Sequence, residues 1–231
     1  MKATEAIAWL RRKASANVKK GMARYAIPDD RALGVTVGVI RAFAKQVGRD
    51  HALAQQLWAS GIYEAQMLAA FVDDPAAVTP KQMNAWAKDF DNWATCDTAC
   101  FHLFDRTGHV FARARAWAKS KHEFTRRAAF ALVASAALHR KDLDDAEFSA
   151  FLPVIERAAV DGRNFVKKAV SWALRSVGRR SLLLHGAAIE LAEQLAASAD
   201  AAARWVGKDA LRDLRRPAVQ RALLRARPSS R

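Results

Sequence analysis

Asp97 sits at the end of Asp91-Asn92-Trp93-Ala94-Thr95-Cys96-Asp97, in a chain whose net charge is +15. In a helix, Trp93 and Asp97 stand one turn apart on the same face. A carboxylate there repels phosphates but stabilises positive charge developing on a sugar, so its chemistry is that of a catalytic group rather than a grip on a polyanion. The face also holds Cys96, Cys100, Phe101 and Phe104, and a charge in such company is costly unless it is used or paired. Two plainer explanations stay open on the residues alone. Asp97 caps a helix start, or it forms a buried pair with an arginine such as Arg127.

A second constellation lies in Phe165-Val166-Lys167-Lys168-Ala169-Val170-Ser171-Trp172-Ala173-Leu174-Arg175. At helical spacing Val166, Ala169, Val170, Ala173 and Val177 form one apolar stripe, while Phe165, Lys168, Trp172, Arg175 and Arg179 form another. Cations one turn before and after an indole can hold phosphates while the ring packs on a sugar or base. The alternative is a Trp packed on a neighbouring helix under Lys and Arg stems.

The elements that carry these groups are helical. Ten glycines, six prolines and an abundance of Ala and Leu favour helix over sheet, and no segment alternates as a strand does. Helices are expected over Thr4–Lys20, Asp29–Val47, Asp50–Ala59, Ile62–Phe71, Thr79–Phe104 with a break near Asp91, and His109–Lys119. Further helices are expected over Glu123–Leu138, Asp144–Ala159, Arg163–Val177 and Leu182–Ala197, with two more beyond. The clearest starts are Asp50, Thr79 followed by Pro80, and Asp144 with Glu147 three residues on.

Phe124-Thr125-Arg126-Arg127-Ala128 is echoed 41 residues later by Phe165-Val166-Lys167-Lys168-Ala169, and more weakly by Trp205-Val206-Gly207-Lys208. Two helices per unit of about 40 residues is the signature of HEAT or armadillo stacking, and the expected product is a solenoid with a concave binding surface. Chance likeness among Ala-rich amphipathic helices is the competing explanation. One repeat domain is expected over residues 1–226, followed by a basic, disordered tail at 227–231.

The charge is localised. Residues 106–127 hold seven basic residues against one acidic, 163–180 hold six against none, and 204–231 hold nine against two, whereas 64–97 hold six acidic against two basic. Basic blocks of this kind suit a polyanion. No apolar run is long enough to span a membrane, and charged residues interrupt the N-terminus where a signal peptide would need an apolar region. Cys96 and Cys100 are expected to pack as small hydrophobes. No metal-ligand cluster or phosphate-cradling glycine loop is seen, so no metal and no cofactor are expected. A cytoplasmic monomer is the expectation.

In sequence, Met22-Ala23-Arg24-Tyr25, Leu57-Trp58, Glu64-Ala65, Trp93-Ala94-Thr95-Cys96-Asp97, Arg126-Arg127-Ala128-Ala129, Phe165 through Arg175 and Lys208-Asp209-Ala210-Leu211 resemble the AlkD-like DNA alkylation repair family. The likeness covers nearly the whole chain. Its specific elements are Trp-x-x-x-Asp and Phe-x-x-Lys-Ala-x-x-Trp-x-Leu-Arg. Departures are Val37-Gly38, where the family commonly has a proline-containing turn, and the missing aromatic four residues before Arg127.

The resemblance implies an all-α, right-handed solenoid of HEAT-like helical hairpins with a concave basic DNA-binding face. It implies a monofunctional glycosylase that removes N3- and N7-alkylated purines from double-stranded DNA without enclosing the base in a pocket. By position, Asp97 matches the catalytic carboxylate, Trp93 and Trp172 the lesion-facing indoles, and Arg127 the DNA-contacting arginine. Tyr25 matches a further aromatic near the lesion, and Arg126, Lys168 and Arg175 complete the expected DNA contacts. The rival expectation is a non-catalytic HEAT-repeat scaffold that binds nucleic acid or an acidic protein.

Overall fold

The structure, a computed structural model, describes residues 1–225; the expected tail at 227–231 lies outside the described residues. Among these residues it contains fifteen α-helices, two short 3-10 turns and no strand. The chain divides into two compact units, 1–108 and 109–231.

The first unit holds α1 (Ala3–Arg12), α2 (Ala16–Gly21), α3 (Val37–Val47), α4 (His51–Ala59), α5 (Tyr63–Val72), α6 (Pro80–Asp89) and α7 (Trp93–His102). The strongest sequence signals sit at the helix starts they mark. The Asp50 carboxylate accepts from the amide of Leu53 at 2.9 Å, and the Thr79 hydroxyl from that of Gln82 at 3.2 Å with Pro80 in the first turn. α5 is buried nearly throughout and packs on α3, α4 and α7. Trp58 and Trp86 stack at 3.9 Å, and the Trp58 indole donates to Asp89 at 2.9 Å.

The expected helix over Asp29–Val47 starts only at Val37, because residues 26–36 form a loop clamped from a distance. Glu64, fully buried on α5, accepts from the amides of Leu33 (2.8 Å), Gly34 (2.7 Å) and Val35 (3.1 Å). Gly34 has φ +85°, and a Cβ there would lie 2.2 Å from the Ser15 carbonyl oxygen, so this position admits only glycine. Likewise the expected helix Thr4–Lys20 breaks at Ser15, which caps α2 through the amide of Val18.

The second unit holds α8 (Val110–Trp117), α9 (Glu123–His139), α10 (Asp145–Ser149), α11 (Leu152–Ala158), α12 (Asn164–Gly178), α13 (Leu182–Ala196), α14 (Ala201–Leu214) and α15 (Pro217–Arg225). α9, α12 and α14 pack side by side as one layer, and α8, α11 and α13 pack against them as a second. The internal echo is a register of contacts between successive helices of the first layer. Phe124 meets Phe165 with ring centroids 5.2 Å apart, and the Lys167 ammonium lies 4.8 Å from the Trp205 ring. The apolar stripe Val166, Ala169, Val170, Ala173 and Val177 is fully buried. Each valine in it contributes roughly 1.5–3 kcal/mol relative to exposure. Gly207 lets α14 approach α13 closely, since a Cβ there would stand 2.3 Å from the amide nitrogen of Ala196. The expected helix Asp144–Ala159 is divided into α10 and α11, with Pro153 in the first turn of α11.

No described helix is long and apolar enough to cross a membrane.

Candidate nucleic-acid site

The expected site residues fall in both units. Tyr25, Trp93 and Asp97 belong to the first; Arg126, Arg127, Lys168, Trp172 and Arg175 belong to the second.

In the first unit, Asn92 starts α7. Its side-chain oxygen accepts from the amides of Ala94 (2.9 Å) and Thr95 (3.0 Å). This disposes of the capping explanation for Asp97, which lies in the second turn of α7, four residues after Trp93. Both side chains are half-buried. The Trp93 indole Nε1 donates to the Tyr25 backbone carbonyl at 2.7 Å, which fixes the ring against the 3-10 turn Met22–Tyr25. The Tyr25 side chain is 65 % exposed. Ala26, next in sequence, holds the left-handed conformation (φ 53°) that ends this turn.

The loop carrying Tyr25 is fastened at three points. Arg31 pairs with Asp91 beside the start of α7, the Arg31 carbonyl accepts from the amide of Tyr63 at 3.0 Å, and Glu64 takes the three amides described above. A groove of about 340 Å³ runs along the same turn between Asn17, Met22, Tyr25, Val35 and Tyr63. Burial, followed by the charge of Glu64, pushes the Tyr63 phenol up to about 12, so it stays protonated at neutral pH. The role of Glu64 as an anchor was missed in the sequence; the Leu33-Gly34 pair is the signal that marks its target.

Cys96 and Cys100 form no disulfide and are fully buried on α7. Burial first, then Cys96, then the nearby charges of Asp97 and Asp105 push the Cys100 thiol well above its ordinary value. It remains a neutral thiol and packs as the sequence suggests. Among the described residues no group of three or more His, Cys, Asp and Glu side chains is arranged to hold a metal ion.

In the second unit, the second stripe of α12 is partly exposed, and its Phe165 end packs on Phe124. Lys168 is exposed, and Trp172 and Arg175 are half-buried. Arg175 Nε donates to the Ser171 carbonyl at 3.3 Å and lies 3.6 Å from Asp209, which also accepts from the Ser171 hydroxyl at 2.7 Å. Asp209 of α14 therefore orients Arg175 beside Trp172, a role not read from the sequence.

Arg127 is 7 % exposed, and its Nη1 donates to the Phe165 carbonyl at 2.8 Å, across the seam between α9 and α12. Arg126 pairs with Asp161 at 3.3 Å. Asp161 is held in turn by Arg163, through Nη2 at 2.6 Å and Nε at 2.9 Å. The Arg163 hydrogen bonds and the Arg163 and Arg126 charges outweigh burial and hold this carboxyl below the usual carboxylate range.

Both units are thus helical, one carrying an indole and a carboxylate one turn apart on α7 and the other an indole between cations on α12. A family model described as DNA alkylation repair enzyme matches residues 6–214. The chain belongs to that family.

Among solved structures, the chain is similar to one described as "A new family of proteins related to the HEAT-like repeat DNA glycosylases with affinity for branched DNA structures". The TM-score is 0.76 over 92% of this chain and 95% of that chain, at 20% sequence identity. At that identity the likeness establishes the fold alone. A comparison with curated proteins gave no match.

Proposed function

We propose that this chain is a monofunctional DNA glycosylase that hydrolyses the N-glycosidic bond of N3- and N7-alkylated purines, such as 3-methyladenine and 7-methylguanine, in duplex DNA. The observation that carries this reading is Asp97, a half-buried carboxylate one helical turn from a half-exposed indole and not used as a helix cap.

Alkylation at N3 or N7 makes the purine cationic, so it leaves without needing a proton from the protein. What remains to be stabilised is a sugar oxocarbenium ion and the attacking water. A carboxylate about 4 Å from that cation contributes on the order of 4 kcal/mol at an effective dielectric near 20, roughly a thousandfold in rate. The same carboxylate orients the water and accepts its proton as the C1′–O bond forms, while the neutral purine departs with the bonding pair.

Trp93 packs its ring on deoxyribose and excludes bulk solvent, with Tyr25 beside it. In the second unit Trp172 packs on sugar between Lys168 and Arg175, which hold flanking phosphates. Arg127, buried against the Phe165 carbonyl, ties the start of α9 to α12 and so sets where the Trp172 stripe lies. The basic stripe of α12 is the side that lies along the duplex in this reading.

The test is to incubate the full chain with duplex DNA methylated at purines and to measure released 3-methyladenine and 7-methylguanine by mass spectrometry. Release of both without strand breakage is expected. Duplex binding with no release would overturn catalysis and leave the second reading. In that reading the chain is a non-catalytic binder of nucleic acid, favoured by the fold shared with a protein described as having affinity for branched DNA.

A further inference from the structure

The second unit carries another concentration of cations. A groove of about 420 Å³ opens between the end of α8 and the face of α11, lined by Arg115, Lys119, Arg126 and Arg157 over an apolar floor that includes Val154 and Ala158. Arg115 lies in the last turn of α8 and Lys119 in the turn that follows it, while Val154, Arg157 and Ala158, three and four apart, share one face of α11.

Only part of this charge is answered. Arg115 pairs with Glu147 at 3.4 Å and Arg126 with Asp161 at 3.3 Å. The side chains of Lys119 and Arg157 are exposed and have no hydrogen-bond or ion-pair partner among the described residues. The Nε of Arg126 is buried with no acceptor, a donor that the fold itself leaves unused.

The groove lies between the end of α8, the start of α9 and α11, whereas Lys168, Trp172 and Arg175 stand on α12. The two sets share no residue, and nothing of α12 lines the groove. Arginines spread along two helices over a shallow apolar floor suit a run of phosphodiesters, because each guanidinium forks onto non-bridging oxygens while deoxyribose covers the floor. A small enclosed anion site would instead bring its donors together on one centre.

We propose that the groove binds the phosphate backbone of a DNA segment other than the one on the Trp172 stripe, so that the second unit holds two segments at once. This rests on the DNA-binding reading above. The groove cations take no part in the chemical step.

The experiment compares the wild-type chain with the double variant Lys119→Gln/Arg157→Gln, on a linear duplex of about 20 base pairs and on a four-way junction with the same arm sequences. Both residues are exposed, so the variant is expected to fold. Affinity for the linear duplex should change less than about twofold. Affinity for the junction should fall about tenfold or more, and its salt slope by about two, one for each lost phosphate contact.

Unchanged junction affinity would overturn the proposal, and so would equal losses on both DNAs, which would place the groove on the same tract as Trp172. A rise in Tm with millimolar inorganic phosphate, lost in the variant while junction binding persists, would make it a small-anion site and overturn the nucleic-acid assignment. Lys168→Gln separates the two readings. It should weaken both DNAs, and if it weakens neither, the Trp172 stripe fails while the groove is still judged on the junction.

Discussion

The Trp93 indole donates a 2.7 Å hydrogen bond to the backbone carbonyl of Tyr25, joining positions 68 residues apart. The bond fixes the edge of the ring, so the orientation of its face is set by the 3-10 turn as well as by α7. Because the acceptor is a main-chain oxygen, the exposed Tyr25 phenol plays no part in it.

Trp93→Phe separates the ring from its tether. Phe retains most of the aromatic surface but cannot donate, and the lost bond should cost about 1 kcal/mol of stability. Excision of 7-methylguanine under single-turnover conditions should fall about tenfold or more, out of proportion to the change in folded fraction, because a freed ring no longer holds the sugar in place. Tyr25→Phe should preserve the tether, with stability and the environment of the Trp93 indole unchanged by fluorescence. Urea melts and rates on the same preparations distinguish the two variants.

Trp172 is half-buried, next to an α12 stripe that is fully buried. A fully buried Trp replaced by Ala typically costs about 3–5 kcal/mol. Trp172→Ala should cost clearly less than that and should reduce excision far more than it lowers Tm. A collapsed Tm, with activity lost only in proportion to folded protein, would return the ring to a packing role. Asp209→Ala makes a companion test, because it should leave the indole in place while releasing Arg175 from its orienting partner. Duplex affinity should then change with little effect on Trp172 fluorescence.

The helices whose boundaries were legible carry their own local signals. Asp50, Thr79-Pro80 and Asp144 cap where they stand, and the Val166 to Val177 stripe is buried as its spacing requires. The loop at 26–36 was not legible, because the group that breaks the expected helix is Glu64, about thirty residues away and on another helix. Asp97 as a cap was a reasonable alternative until Asn92, five residues earlier, took the amides. The depth of Arg127 also depends on a tertiary partner, the Phe165 carbonyl, which helical spacing within α9 does not reveal. Burial of a cation is decided by what packs over it.

Asp161 gives a pH dependence with a definite sign. Its carboxyl is held below the usual range, first by hydrogen bonds from Arg163 and further by the charges of Arg163 and Arg126. A folded-state pKa below the unfolded value means that the contribution is present above about pH 4 and is lost as pH falls through the folded value. Asp161→Asn should therefore cost about 2 kcal/mol at pH 7, the scale of a hydrogen bond to a charged group. The gap between wild type and variant should narrow below about pH 4. Urea midpoints measured from pH 7 down to about pH 2 check this, and a gap that stays constant would mean that shape rather than charge is what Asp161 supplies.

Asp97→Asn addresses the chemical step. Asn keeps the size of Asp and much of its hydrogen bonding while removing the charge, and at a half-buried position in the second turn of α7 it should leave the fold intact. Duplex affinity should hold or increase, because repulsion between the carboxylate and phosphates disappears. Single-turnover excision of 7-methylguanine should fall by roughly 10² or more, since the lost interaction exists mainly with the cation of the transition state. Saturating enzyme is required so that tighter binding cannot mask the slower step. The neutral substitution should also slow excision of 7-methylguanine more than that of 3-methyladenine, whose glycosidic bond is intrinsically weaker. If the Asn variant excises both at the wild-type rate, Asp97 is a structural ion-pair partner and the catalytic assignment fails for this chain.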